Sequence, residues 1–121
     1  MKILVIDDES SIREMISKML SNETYEVFVA SNGNEGMKII KEESDIDLVI
    51  TDIIMPEKEG IETIFDLKRN YSDIKIIAVS GGGRIGAESY LYTAKELGAN
   101  LVLQKPFVQQ ELLDAVHQLL N

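Results

Sequence analysis

Five short apolar runs alternate with stretches of helical period along this chain, and that alternation constrains the fold more than any other feature. Residues 2–6, 25–30, 46–51, 74–79 and 101–104 read as strands. Between them, Ile12, Met15, Ile16, Met19 and Leu20 recur at helical spacing, as do Met37, Ile39 and Ile40 in a helix ending near Glu43. Ile61, Ile64, Phe65 and Leu67 define a third helix, and Leu91, Ala94 and Leu97 a fourth that stops at Gly98. Leu112, Leu113, Val116, Leu119 and Leu120 share one face of the last. Strict alternation of this kind calls for a parallel sheet with helices on both faces, because parallel strands need crossovers and these are right-handed. The expected fold class is α/β: a single (βα)5 domain over residues 1–121, with five parallel strands in the order 2-1-3-4-5. Local signals agree with it. Ser11 and Glu14 have capping-box spacing for the first helix, and Asn32-Gly33 marks a turn.

At 121 residues the chain fits one domain and can bury a real core without staples. There are no cysteines, so disulfides and thiolate metal sites are excluded. A formal net charge of −9 repels phosphate backbones, so direct nucleic-acid binding is not expected. No apolar run approaches the roughly 18 residues needed to span a membrane. Met1 leads straight into a strand without a signal-like segment, so no membrane contact and a cytoplasmic location are expected.

The chemistry gathers where strands end. The first strand runs into Asp7-Asp8, the third into Asp52, the fourth into Ser80 and the fifth into Lys105. Ligands of open α/β sheets bind outside the carboxyl ends of the strands, at the switch point between strands one and three. Three carboxylates and one ammonium carry a formal charge of −2 there. A divalent cation would neutralise it, and an all-oxygen ligand set favours Mg²⁺ over zinc or copper. Such a site suits phosphoryl transfer, in which positioning and neutralisation of charge supply most of the catalysis. Asp52, central between the acid pair and Ser80, is placed to be a carboxylate nucleophile. Taken singly, each residue has an ordinary structural explanation. Asp7 or Asp8 would cap a helix, Asp52 would start a turn before Met55-Pro56, Ser80 would open a glycine turn, and Lys105 would be a surface lysine before Pro106. Taken together, those explanations require several coincidences at one sheet end.

The ordered set of motifs resembles bacterial response-regulator receiver domains, the module of two-component signalling. The matching pieces are Asp7-Asp8, Asp52-x-x-Met55-Pro56-x-x-x-Gly60, Ser80, Leu97-Gly98-Ala99 and Lys105-Pro106-Phe107. The strand order 2-1-3-4-5 is known from this family itself and so adds no independent support. The resemblance implies a flavodoxin-like fold and a phosphoacceptor switch in which Asp52 takes a phosphoryl group from a histidine. The donor would be a sensor histidine kinase or a histidine phosphotransfer protein, and the switched domain would act on a downstream target protein. It implies direct Mg²⁺ contacts from Asp8 and Asp52, a further contact from the Ile53 carbonyl, and Asp7 acting nearby. Ser80 and Lys105 would sense the phosphoryl oxygens, giving Asp52, Ser80 and Lys105 the catalytic roles. A cis Lys105–Pro106 bond is also implied, and no turnover of an external substrate.

Three positions depart from the family's commoner pattern. Val102 stands where an aromatic residue is frequent and reads as a β-branched core residue. Ile54 is apolar where many members are polar. The loop over residues 81–86 is longer and glycine-rich, and is the expected moving part on activation, together with the helix start that carries Tyr90 and Tyr92. His117 lies off the apolar stripe of the last helix and reads as solvent-exposed. Three rivals are weaker. A phosphatase of the haloacid-dehalogenase type needs an acid two residues after its nucleophile, where Ile54 stands. In a flavin carrier the acidic first loop, Asp7-Asp8-Glu9-Ser10, would repel the flavin phosphate. A receiver used only for docking would not need its full chemical set.

Overall fold

Apolar strands long enough to be buried on both faces dictate a layered structure, and the computed structural model has that form. It describes residues 1–21, 24–43, 45–53, 60–81, 95–96 and 98–120. Five strands, β1 (Lys2–Ile6), β2 (Glu26–Ala30), β3 (Ile46–Asp52), β4 (Lys75–Gly81) and β5 (Leu101–Lys105), alternate with helices α1 (Ser10–Leu20), α2 (Gly33–Glu42) and α3 (Gly60–Asn70). Helix α4 (Gln109–Leu120) follows β5. All neighbouring strands pair in parallel, in the order β2-β1-β3-β4-β5. Four helices are described; most of the helix expected between β4 and β5 lies outside the described residues, as do residues 54–59, the loop 82–86, Tyr90 and Tyr92.

Alternation of side chains along each strand sends successive residues to opposite faces. Leu4, Ile6, Val49, Ile76 and Ala78 face α2 and α3, where they meet Ile40, Ile64 and Leu67. Ile3, Val5, Leu48, Ile50, Ile77 and Val79 face α1 and α4 and meet Ile16, Leu20, Leu112 and Val116. Each fully buried Val, Leu or Ile side chain among them contributes about 1.5–3 kcal/mol relative to exposure. Val102, expected in the core, lies in β5 and is half-buried, packed against the cluster on the α2/α3 side.

Two helix starts differ from the sequence expectation. Helix α1 begins at Ser10 with Glu9 at its N-cap and no side-chain cap, so Ser11 lies inside the first turn and forms no capping box. The competing force is the acidic loop, in which the Asp7 carboxylate already holds the Glu9 amide at 2.9 Å. Asn32 is a cap rather than a turn residue: its side chain accepts the Glu35 amide at 2.8 Å. Glu35 reaches back to the Ser31 hydroxyl at 2.9 Å, which satisfies the helix start from both sides. Phe65 sits on the outer side of α3 and is exposed rather than core. His117 is half-buried rather than fully exposed.

The turn before β5 depends on Gly98, whose φ of +121° lies in the left-handed region. A Cβ there would also come within 2.6 Å of the Lys68 stem. Asn100 then stitches β4 to β5, its amide donating to the Ile76 carbonyl at 2.8 Å and its Oδ1 accepting the Ile76 amide at 2.8 Å.

Candidate functional site

The strand ends bring the predicted residues together. One carboxylate oxygen from each of Asp7, Asp8 and Asp52 lies within 4.8 Å of the others. Asp7 and Asp52 are buried, whereas Asp8 is exposed. Lys105 reaches over from the edge strand: its Nζ lies 2.9 Å from Asp7 Oδ2 and 3.4 Å from Asp52 Oδ2. The strand pattern explains the convergence. Asp7, Asp52 and Lys105 continue the alternation of Val5, Ile50 and Leu103, so all three leave the sheet on the α1/α4 side. Ser80 continues Ala78 on the opposite side, at the end of the neighbouring strand β4.

Ser80 carries the most informative single atom. Its Oγ is buried and has no hydrogen-bond partner among the described residues. A buried hydroxyl without a partner costs free energy, so its retention calls for an explanation, and a catalytic role is one that such groups have. Ser80 adjoins the acid cluster through β4, whose Val79 is the register partner of Asp52.

Backbone contacts hold Asp52 in place. The Thr51 hydroxyl donates to the Asp52 carbonyl at 2.9 Å, and the Ile53 amide donates to the Val79 carbonyl at 3.0 Å. Gly60 packs directly on this turn, and its amide donates to the Ile53 carbonyl at 3.1 Å. A Cβ at Gly60 would overlap the Asp52 carbonyl oxygen and the Ile53 Cα. The Ile53 carbonyl oxygen has two lone pairs, and the Gly60 amide uses one.

Electrostatics hold Lys105 charged. Burial pushes its ammonium down, but the Asp7 hydrogen bond and the charges of Asp52 and Asp7 outweigh burial and raise its pKa above the usual 10.5. The donor set fits a hard divalent cation: three carboxylates in mutual reach, all oxygen, with one ammonium that leaves the cluster net negative. The Lys105–Pro106 bond is cis, as the resemblance implies.

Two contributors escaped sequence reasoning. Thr51 carries a visible signal, a hydroxyl residue interrupting an apolar strand just before Asp52. Arg13 donates from Nη1 to the Asp7 main-chain oxygen at 2.8 Å. Nothing in the strand-end pattern points to it, because the contact depends on how α1 packs beside β1.

Comparison with known proteins agrees with this geometry. The family model for the response regulator receiver domain matches residues 3–117. Sporulation initiation phosphotransferase F of Bacillus subtilis (strain 168) is 34% identical, over 98% of this chain and 93% of that protein. Transcriptional regulatory protein CpxR of Escherichia coli (strain K12) is 30% identical over 99% of this chain, which spans 49% of the relative's length. A solved response regulator receiver domain protein from Clostridium thermocellum superposes with a TM-score of 0.89 at 36% identity, covering 99% of this chain and 94% of that one. Among the described residues, no helix is long and apolar enough to cross a membrane. Receiver domains are signalling switches rather than turnover enzymes; histidine kinases phosphorylate them, and they generally bind Mg²⁺ at their acidic cluster. With the fold, the strand order and the family model in agreement, the chain belongs to the response regulator receiver domain family, the phosphoacceptor switches of two-component signalling.

Proposed function

We propose that Asp52 is the phosphoacceptor, with Ser80 and Lys105 as its catalytic partners, and that residues 1–121 act as one receiver domain in the cytoplasm. A carboxylate oxygen of Asp52 attacks the phosphorus of a partner's phosphohistidine. A P–O bond forms as the P–N bond breaks, and the imidazole leaves with the electron pair and takes up a proton. The donor is a sensor histidine kinase or a histidine phosphotransfer protein, and the product acts on a downstream protein rather than turning over an external substrate.

Lys105 already bridges Asp7 and Asp52, so its ammonium is in place to receive an oxygen of the incoming phosphoryl group. The buried Ser80 hydroxyl, without a partner among the described residues, supports a role as a second donor. Asp8 and Asp52 are the direct ligands for Mg²⁺ in this reading, with the Ile53 carbonyl as a further ligand and Asp7 nearby. When bound, Mg²⁺ neutralises charge on the carboxylates and phosphoryl oxygens. Phosphorylation replaces one negative charge by about two and adds three strong acceptors. Those acceptors draw Ser80 and Lys105 inward, which couples the modification to the ends of β4 and β5.

The observation that carries this reading is Asp52 sharing Lys105 with Asp7. The neighbouring strand end, in register through Val79, supports it with a buried Ser80 hydroxyl that has no partner among the described residues. Acetyl phosphate with Mg²⁺ should add one phosphoryl group to the protein by intact mass, and Asp52→Asn should abolish the addition. Labelling that persists in Asp52→Asn would remove the assignment.

A further inference from the structure

Arg13 has no part in the chemistry just described, yet its side chain reaches the acidic strand end. Its contact completes a set of bonds that fixes Asp7 on every polar atom. The Asp7 amide donates to the Ala30 carbonyl at 3.1 Å. Its Oδ1 accepts the Glu9 amide at 2.9 Å, and its Oδ2 accepts Lys105 Nζ at 2.9 Å. Its carbonyl oxygen accepts Arg13 Nη1 at 2.8 Å. The Glu9 carbonyl in turn accepts the amides of Ile12 and Arg13, both at 3.1 Å. The loop therefore starts the helical turn that carries Arg13, and Arg13 closes back on the loop.

Asp8 lies inside this closed ring. The Asp7 carbonyl and the Asp8 amide belong to one planar peptide unit, so a bond to the carbonyl fixes the plane from which the exposed Asp8 side chain departs. Asp8 has no burial of its own to hold it. We propose that Arg13 is a positioning residue for the metal-binding arm of the site, holding the Asp7–Asp8 peptide so that the Asp8 carboxylate is preorganised for a divalent cation. The proposal rests on the reading of Asp7, Asp8 and Asp52 as the cation-binding group.

The sign of the effect separates positioning from simple charge. A guanidinium near a cation site repels the cation, so by Coulomb's law alone its removal tightens Mg²⁺ binding. Loss of a positioning bond loosens the ligand and weakens binding. Mg²⁺ alone is the probe, titrated calorimetrically into the metal-free protein. Arg13→Met should weaken Mg²⁺ binding by about tenfold, the scale of a lost charge-assisted hydrogen bond that preorganises a ligand. Arg13→Lys should recover most of the affinity, because an ammonium on a long stem can donate to the same carbonyl. In the metal-free protein, the Glu9 amide should exchange with solvent faster in Arg13→Met than in the wild type. With acetyl phosphate, the half-saturating Mg²⁺ concentration should rise while the rate at saturating Mg²⁺ stays within about twofold.

Equal or tighter Mg²⁺ binding in Arg13→Met overturns the proposal, as does a defect that excess Mg²⁺ fails to repair. If Arg13→Met loses its fold by circular dichroism, Arg13→Gln takes its place with the same two readings. Wild-type protein that binds no Mg²⁺ overturns the reading of the site itself, a result distinct from a normal wild type with an indifferent Arg13.

Discussion

Two lysines hold acidic partners at opposite ends of the sheet, and their surroundings give the same chemistry different consequences. Lys2 opens β1, and its Nζ lies 3.3 Å from Glu43, with side-chain exposures of 28% and 37%. Lys105 closes β5 and pairs with Asp7 and Asp52, whose exposures are 2% and 8%. Both ammonium groups are raised above the usual 10.5. At Lys2 the Glu43 hydrogen bond leads, and desolvation opposes it only in part. At Lys105 burial is the largest single influence and acts against the charge, and two carboxylates together override it. Water can replace either partner of the first pair. It cannot readily replace Lys105, because Asp7 and Asp52 are buried and would lose the ammonium they share. One end of the sheet is therefore trimmed by a dispensable surface pair, while the other stores charge whose balance changes when a ligand or a phosphoryl group arrives.

Removal of Lys105 should break this comparison most strongly. Lys105→Met takes the shared ammonium from two buried carboxylates and should cost about 3 kcal/mol in metal-free buffer, the scale of a broken buried pair. Chemical denaturation checks this, and Mg²⁺ should return part of the loss by supplying the missing positive charge. The sign of the pH dependence follows from the raised pKa. Lys105 contributes fully below its unfolded value of about 10.5 and loses that contribution as pH rises through its higher folded value. The stability gap between wild type and Lys105→Met should therefore hold at neutral pH and close only in strongly alkaline solution. A gap that closes near neutral pH would contradict the pairing.

Gly60→Ala sharpens the comparison from the backbone side. The added methyl group would overlap the Asp52 carbonyl and the Ile53 Cα, so the turn beneath the acid cluster must move. A loss of about 2 kcal/mol is expected, as for overpacking elsewhere, with slower phosphorylation by acetyl phosphate. A variant with wild-type stability and rate would show that this turn does not hold Asp52. The smallest effect belongs to the other end. Lys2→Met should leave the unfolding midpoint unchanged within error, and about 1 M salt should erase any residue of an effect.

The architecture was largely legible because its determinants are local. Apolar runs such as residues 2–6 and 101–104 end in charged side chains, and parallel pairing follows from the helices between them. The gathering of Asp7, Asp8, Asp52 and Lys105 at one sheet end, with Ser80 closing the neighbouring strand, was legible for the same reason, since strand ends in such a sheet share one rim. What escaped depended on contacts between elements. Ser11 and Glu14 have the spacing of a capping box, but the Asp7 carboxylate takes the Glu9 amide and sets the helix start earlier. Phe65 matches the helical period of Ile61 and Ile64 yet falls on the outer edge of the stripe. Arg13 looks like an ordinary helical cation until α1 packs beside β1 and brings its guanidinium to the Asp7 carbonyl. The expected shift of the glycine loop on activation concerns residues that, apart from Gly81, lie outside those described.

The most direct test of the central claim is to locate the phosphoryl group. Protein treated with acetyl phosphate and Mg²⁺ is reduced with borohydride, which permanently marks the aspartate that carried the acyl phosphate, and is then mapped by peptide mass. The mark should fall on Asp52 alone, the carboxylate that shares Lys105 with Asp7 and lies nearest in register to Ser80. A mark on Asp7 or Asp8, with Asp52 unmodified, would contradict the roles assigned to every residue of the site.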